Sequence, residues 1–210
     1  MLLAFFLKGI LVGAVIAVPV GPVGVLCVRR TIFEGRVAGL VSGLGAATAD
    51  AIFGIIAGFG LTFIANWLLG WEALLRVSGG AYLVYIGGAA SFATPETKQE
   101  EETDPEGLAR DFASTFALSV TNPVTILAFL GIFAALGLSG ARATLGRAAI
   151  LVLGVWLGSM LWWLGLSLGI APFRRSIGQH HLAWISRGSG IILLLSGMAL
   201  LATAAIKHFA

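Results

Sequence analysis

The chain has 210 residues, of which 58% are apolar and 11% charged, and its mean hydropathy is +0.98. A soluble domain of this length cannot bury that much apolar surface, so the sequence is read as an all-α, polytopic membrane protein. The formal charge of +3 sits on basic residues placed singly or in pairs at the ends of apolar runs, which is a membrane-topology pattern and not a nucleic-acid surface. The single cysteine, Cys27, leaves no disulfide framework, C-x-x-C redox pair or thiolate metal site within one chain.

A bilayer core about 30 Å thick takes roughly 20 helical residues. On that ruler the apolar runs predict six spans, near 9–28, 38–65, 70–92, 112–137, 148–171 and 187–206, the second long enough to tilt. The first follows Lys8 as a secretory signal would, but it is too long for a signal's apolar core and has no A-x-A cleavage site, so it is expected to be retained. It also contains Val18-Pro19-Val20-Gly21-Pro22. Each proline lacks the N–H that closes a helical hydrogen bond, and its ring clashes with the carbonyl four residues back, so the helix is expected to kink or split there. Freed backbone groups are costly in hydrocarbon unless protein or water satisfies them. A break at this depth therefore points to a protein-lined cavity, with Pro19, Gly21 and Pro22 as candidate walls and a kink kept for packing as the alternative.

Asp50 falls near the middle of the second span, where a charge costs about 2.5–3.5 kcal/mol on insertion scales, so it should face a partner, water or a cavity. Gly39, Gly43, Ala46, Ala47, Gly54 and Gly58 recur at spacings of three and four and make one strip of small residues, on which Asp50 also lies. It is expected to point inward. Three roles stay open for it: proton carrier in an exchange cycle, counter-ion to a substrate amine, or structural partner of an N–H or hydroxyl.

The strongly polar stretch from Thr94 to Asp111, TPETKQEEETDPEGLARD, is read as a solvated linker, with a cation-collecting or partner-binding loop as the alternative. It separates a first three-helix unit, 1–93, from a second, 112–210. The two units align: a shift of about 111 positions superposes Gly35-Arg36 on Gly146-Arg147, Gly43 on Gly154, Gly54 on Gly165, Gly58 on Gly169 and Arg76 on Arg187. Upstream, after an insertion of about ten residues, Pro22-Val23 falls on Pro123-Val124. Because each copy has an odd number of spans, the second enters the membrane from the opposite side, which gives inverted repeats.

Thr121-Asn122-Pro123 then occupies in the fourth span the place of the proline-broken stretch in the first. Two interrupted spans in corresponding halves point to a central solute site. Asn122 carries a donor and an acceptor on one short side chain and suits either a solute or the carbonyls freed by Pro123. The position aligned with Asp50 is Leu161, so only one half carries an ionisable group there. The fifth span repeats the small strip as Gly154, Gly158, Gly165 and Gly169, with Ser159, Trp162 and Trp163 beside it. Trp162 is a candidate pathway wall, with packing or interface anchoring as alternatives. Such strips pack helices within a protomer or between two, which leaves a homo-oligomer open.

Catalysis finds little to stand on. His180 and His181 are adjacent and make a poor metal clamp, no intramembrane histidine can activate a serine, and no lysine stands in a G-K-[S/T] phosphate loop. No enzyme activity, cofactor or resident metal is expected, and active transport would need an ion gradient or a partner.

The succession Phe6-Leu7-Lys8-Gly9, Gly13, Pro19-Val20-Gly21-Pro22, Arg29, Gly35, Gly39, Gly43 and Ala49-Asp50, followed by Asn122-Pro123 and Gly154-x-x-x-Gly158-Ser159-x-x-Trp162, resembles the LysE/RhtB family of bacterial amino-acid exporters over nearly the whole chain. The resemblance implies a six-helix, multi-pass protein of the bacterial inner membrane that exports amino acids or related small metabolites on the proton-motive force. Carried over by position, it points to Pro19, Gly21, Pro22, Asp50, Asn122 and Pro123. The chain departs from the family's compact Pro-Gly-Pro by the inserted Val20 and the following Val23, and from its Asn-Pro-Lys by Val124, which makes the site less polar than is usual there. The expected function is alternating access of two inverted units about a midplane site, with small molecule, protons or another coupling ion, and lipid as partners. A divalent metal or other cation exporter and a non-transporting membrane scaffold are the alternatives. Basic residues favour the odd-numbered loops, which places both termini outside.

Overall fold

Proline and glycine punctuate an otherwise helix-forming chain, and they decide where its helices stop. The computed structural model describes residues 2–18, 21–58, 71–92, 105–122, 125, 128, 129, 131, 132, 145–176 and 179–209, and the regular elements among them are all helical. These are α1 (Leu2–Ala17), α2 (Pro22–Phe33), α3 (Arg36–Gly58), α4 (Glu72–Phe92), α5 (Pro105–Val120), α6 (Leu145–Ile170), a 3₁₀ turn (Ala171–Ser176) and α7 (Gln179–Phe209). Three stretches, Arg36–Gly58, Gly146–Phe173 and Leu182–Ile206, are long and apolar enough to cross a bilayer, and α1 with α2 makes a fourth if the bent pair is one span. Residues 123, 124, 126, 127, 130 and 133–137 of the predicted fourth span lie outside the described residues, as do 59–65 at the end of the predicted second.

The first predicted span is thus two helices, whose axes differ by 83°. Pro22 opens α2 behind an extended Gly21, at the first helical position, where its missing N–H is no loss. Pro19 lies outside the described residues. At the other end of α2, the N–H groups of Glu34 and Gly35 both donate to the Arg30 carbonyl, at 2.8 and 3.0 Å. Gly35 takes a φ of 106°, which a side chain would oppose, and the chain turns at once into α3.

Directions follow from which residues meet. Asp50 meets Ser159, Gly43 meets Trp163 and Gly39 meets Ser167, so α3 and α6 are antiparallel. A Cβ added at Gly87 would stand 2.7 Å from the Gly190 carbonyl and one at Gly80 3.0 Å from that of Gly197, so α4 and α7 are antiparallel too. On α1, Gly9 lies against the Leu151 carbonyl and Gly13 against that of Val155, while Gly154 and Gly158 lie against the carbonyls of Phe6 and Ile10, so α1 runs parallel to α6. Gly45 lies against Phe112 and Phe116, and α5 packs along α3. On its other side α1 exposes Leu3, Leu7 and Leu11, an apolar stripe suited to lipid. Beyond the break in the fourth span, Phe129 is fully buried against Phe53, with ring centroids 5.9 Å apart, in a cluster with Val12, Ile56, Leu151 and Val155.

The small strips do not serve uniformly. Gly39, Gly43, Gly154 and Gly158 leave no room for a Cβ, Gly54 is in ordinary contact with Val152 and Val155, and Gly58 is buried. A Cβ at Gly165 or Gly169 would meet no described atom within 4 Å. The cause is the length of α1: its last residue, Ala17, packs beside Trp162 and Trp163, and the glycines further along α6 lie past its end.

One ion pair ties α2 and α5 together, with α3 bonded to it. Arg30 Nε stands 3.1 Å from Asp111 Oδ1, and the two side chains are 7% and 4% exposed. Arg30 Nη1 donates to Ser42 Oγ at 2.9 Å, Thr115 Oγ1 at 2.7 Å and the Asp111 carbonyl at 3.0 Å, and Nη2 donates to Ser114 Oγ at 2.8 Å. Asp111 is therefore no part of a solvated linker. The helix starts at Pro105, residues 105–111 form its first turns, and a buried guanidinium holds Asp111 inside as its counter-charge.

Two stability predictions follow from this packing. Arg30→Met strands a buried carboxylate and should cost about 3–5 kcal/mol, read as thermal unfolding in detergent, while the double variant Arg30→Met with Asp111→Leu recovers most of the loss. Gly158→Leu forces α1 off α6 and should destabilise by at least about 1–3 kcal/mol, whereas Gly165→Leu leaves the melting temperature unchanged; equal effects of the two would contradict the packing described.

Candidate functional site

The inward strip of α3 carries Asp50 to the contact with α6, where only 6% of the residue is exposed. Ser159 Oγ donates to Asp50 Oδ2 at 2.6 Å, and Trp163 Nε1 donates to Ser159 Oγ at 3.2 Å. Ser159 and Trp163 are four residues apart, so both project from one face of α6 toward α3. An ionised carboxylate has about four acceptor positions, so one hydroxyl does not saturate it. Asp50 also lines a cavity of about 70 Å³, walled by Gly21 and Pro22 at the first break, Asn122 and Thr125 at the second, and Ala46, Ser119 and Trp163.

A larger cavity, of about 760 Å³, shares the wall made by Ile16, Gly21, Pro22, Val23, Asn122 and Thr125. Its other side is built by Arg76 and Leu83 on α4, Leu118 on α5 with Thr121 just past its end, and Ser196, Leu200 and Thr203 on α7. That volume is within the ~300–1,000 Å³ typical of small-molecule sites. Flanking the breaks, Val18 N–H donates to Ala14 O and Val25 N–H to Gly21 O, both at 3.1 Å, and Thr125 N–H donates to Asn122 O at 3.1 Å. Thr121 N–H donates to Ala117 O at 2.9 Å and Asn122 N–H to Ser119 O at 3.1 Å. The described residues beside the interruptions, Gly21, Pro22, Asn122 and Thr125, line cavities, as irregular backbone at membrane depth requires.

Of the residues singled out from sequence, Gly21, Pro22, Asp50, Thr121 and Asn122 come together around these two cavities. Pro19 and Pro123 lie outside the described residues. Trp162 is half-buried and packs against the cluster of Ala17, Cys27 and Trp163, while its neighbour Trp163 lines the small cavity and bonds Ser159. Arg76 escaped the sequence reading, which took it for a topology charge; its place inside the predicted span 70–92 was the sign that it had an inner task. Among the described residues no group of three or more His, Cys, Asp or Glu side chains could hold a metal ion.

Comparison with known proteins agrees with the apolar helices. The family model of LysE type translocators matches residues 14–204. The chain is 28% identical over 196 residues to the putative amino acid efflux protein YcgF of Bacillus subtilis, covering 91% of this chain and 92% of that protein. It is 28% identical over 208 residues to the chemotactic transduction protein ChpE of Pseudomonas aeruginosa, covering 95% and 98%. It is 29% identical over 127 residues to the leucine efflux protein of Salmonella typhimurium, covering 59% of each. No solved structure matches the chain. With a family match from residue 14 to residue 204 and helices long enough to cross a bilayer more than once, the chain belongs to the LysE type translocators and is a multi-pass membrane transport protein.

Proposed function

We propose that this translocator exports amino acids or related small metabolites from the bacterial cell across the inner membrane, by alternating access of two inverted three-helix units, with Asp50 taking up a proton in exchange for solute. The relatives whose names describe amino acid efflux and leucine efflux support the solute class. The helix directions support the inversion. Exchanging the two units maps the antiparallel pair α3 and α6 onto itself and likewise α4 and α7, and it maps the packing of α1 on α6 onto that of α5 on α3.

The observation that carries the proton role is the Asp50–Ser159 bond. It joins the second span of one unit to the fifth span of the other, at the wall of a chamber made by both breaks. A hydroxyl donates to a carboxylate and accepts from a carboxylic acid, so Ser159 can hold Asp50 in either protonation state. Relative motion of the units changes what faces that pair, and solute binding and proton binding then bias the same two-state equilibrium.

Cells expressing the protein and preloaded with radiolabelled amino acids should lose at least one of them faster than control cells, and an uncoupler should abolish the difference. Asp50→Asn should cut this gradient-driven efflux at least tenfold with the folded protein in the membrane unchanged in amount. Full efflux by the Asn variant would refute the proton role.

A further inference from the structure

The larger cavity joins one charge to an apolar wall. Among its described lining residues Arg76 alone carries a formal charge, and Val15, Leu83, Leu118, Ile132 and Leu200 supply hydrocarbon. Arg76 stands toward the fourth-span break: Gly79, one turn further along α4, comes so near that a Cβ there would stand 3.2 Å from Thr121 Oγ1, and Asn122 follows in the same wall. A guanidinium is a planar fork that matches a carboxylate with two parallel bonds. With five N–H donors it can keep contacts to the protein and still offer donors to a ligand.

We propose that Arg76 anchors the carboxylate of the exported solute and that this cavity selects neutral amino acids with apolar side chains over cationic ones. The proposal rests on the amino-acid export reading above and assigns its substrate class and a binding residue. The carboxylate pairs with Arg76, and the ammonium meets the carbonyl of the Asn122 side chain and the hydroxyls of Thr121 and Thr125. The side chain lies on the aliphatic wall. A lysine or arginine side chain would carry a second positive charge into a chamber whose one described charge repels it.

Counterflow of radiolabelled leucine in proteoliposomes without a pH gradient tests this apart from proton coupling. Unlabelled leucine should compete at least tenfold better than leucinamide, which lacks the carboxylate, and at least tenfold better than lysine. Arg76→Gln should raise the half-saturating leucine concentration at least tenfold and erase the preference for leucine over leucinamide, and Arg76→Lys should restore part of both. Retention of that preference by Arg76→Gln would overturn the anchoring role, because a residue that only supports the fold does not read the carboxylate. Should the Gln variant fail to fold, equal competition by leucine and leucinamide on the wild-type protein overturns the proposal equally well. If the wild type exchanges lysine but not leucine, export stands and the selection fails; if it exchanges no amino acid, both readings fail.

Discussion

Hydrocarbon offers a backbone no hydrogen bonds, and everything in this molecule follows from where that rule is relaxed. A helix can stop inside a bilayer only if protein or a cavity meets the groups it frees. Here the chain breaks before Gly21 and Pro22 and again at Thr121 and Asn122, and the residues at the two breaks form a common wall between a chamber that holds Asp50 and a larger one that holds Arg76. Gly9, Gly13, Gly154 and Gly158 let α1 and α6 meet backbone to backbone, and Gly80, Gly87, Gly190 and Gly197 do the same for α4 and α7.

Between these tight pairs the halves of the chain are held by polar contacts of a different kind. Arg30 with Asp111, Ser114 and Thr115 bonds α2 to α5, and Asp50 with Ser159 bonds α3 to α6. Close glycine packing is rigid because no side chain can shift to accommodate motion, whereas a hydrogen-bonded pair can exchange partners. In the proposed cycle the glycine-packed helices move as bodies and the buried polar pairs are remade. Transport would then depend on side chains that stability alone does not require.

Much of this was legible in the sequence because it rests on local chemistry. Prolines at 19, 22 and 123 announce interruptions wherever they fall in an apolar run, a carboxylate at 50 on a strip of glycine and alanine announces an inward face, and the ordered motifs already resembled the family that the chain belongs to. What stayed hidden depends on distant partners. Asp111 looked like the end of an acidic linker because nothing nearby in sequence shows that Arg30, more than eighty positions earlier, needs a counter-charge. Trp162 was preferred to Trp163 for want of a rotation angle: one residue along a helix turns the side chain by about 100°, and Ser159 fixes which of the two faces Asp50. Gly165 and Gly169 continue the strip in sequence, yet α1 ends before reaching them. Arg76 inside the predicted span 70–92 signalled an inner task, but which cavity it lines depends on the return of α4 against the break at Thr121 and Asn122.

The central claim is that the two interrupted spans share a solute chamber that opens to one side of the membrane at a time. In a Cys27→Ser background, single variants Ile16→Cys and Thr125→Cys place a thiol on the wall common to both cavities, one on each side of the pseudo-repeat. Their labelling by a membrane-impermeant thiol reagent, applied from either face of the membrane with and without saturating leucine, measures that claim most directly. The account predicts that both thiols react from each face and that leucine slows both reactions together. Labelling of either thiol only by a lipid-soluble reagent, or from one face alone whatever the solute, would contradict it.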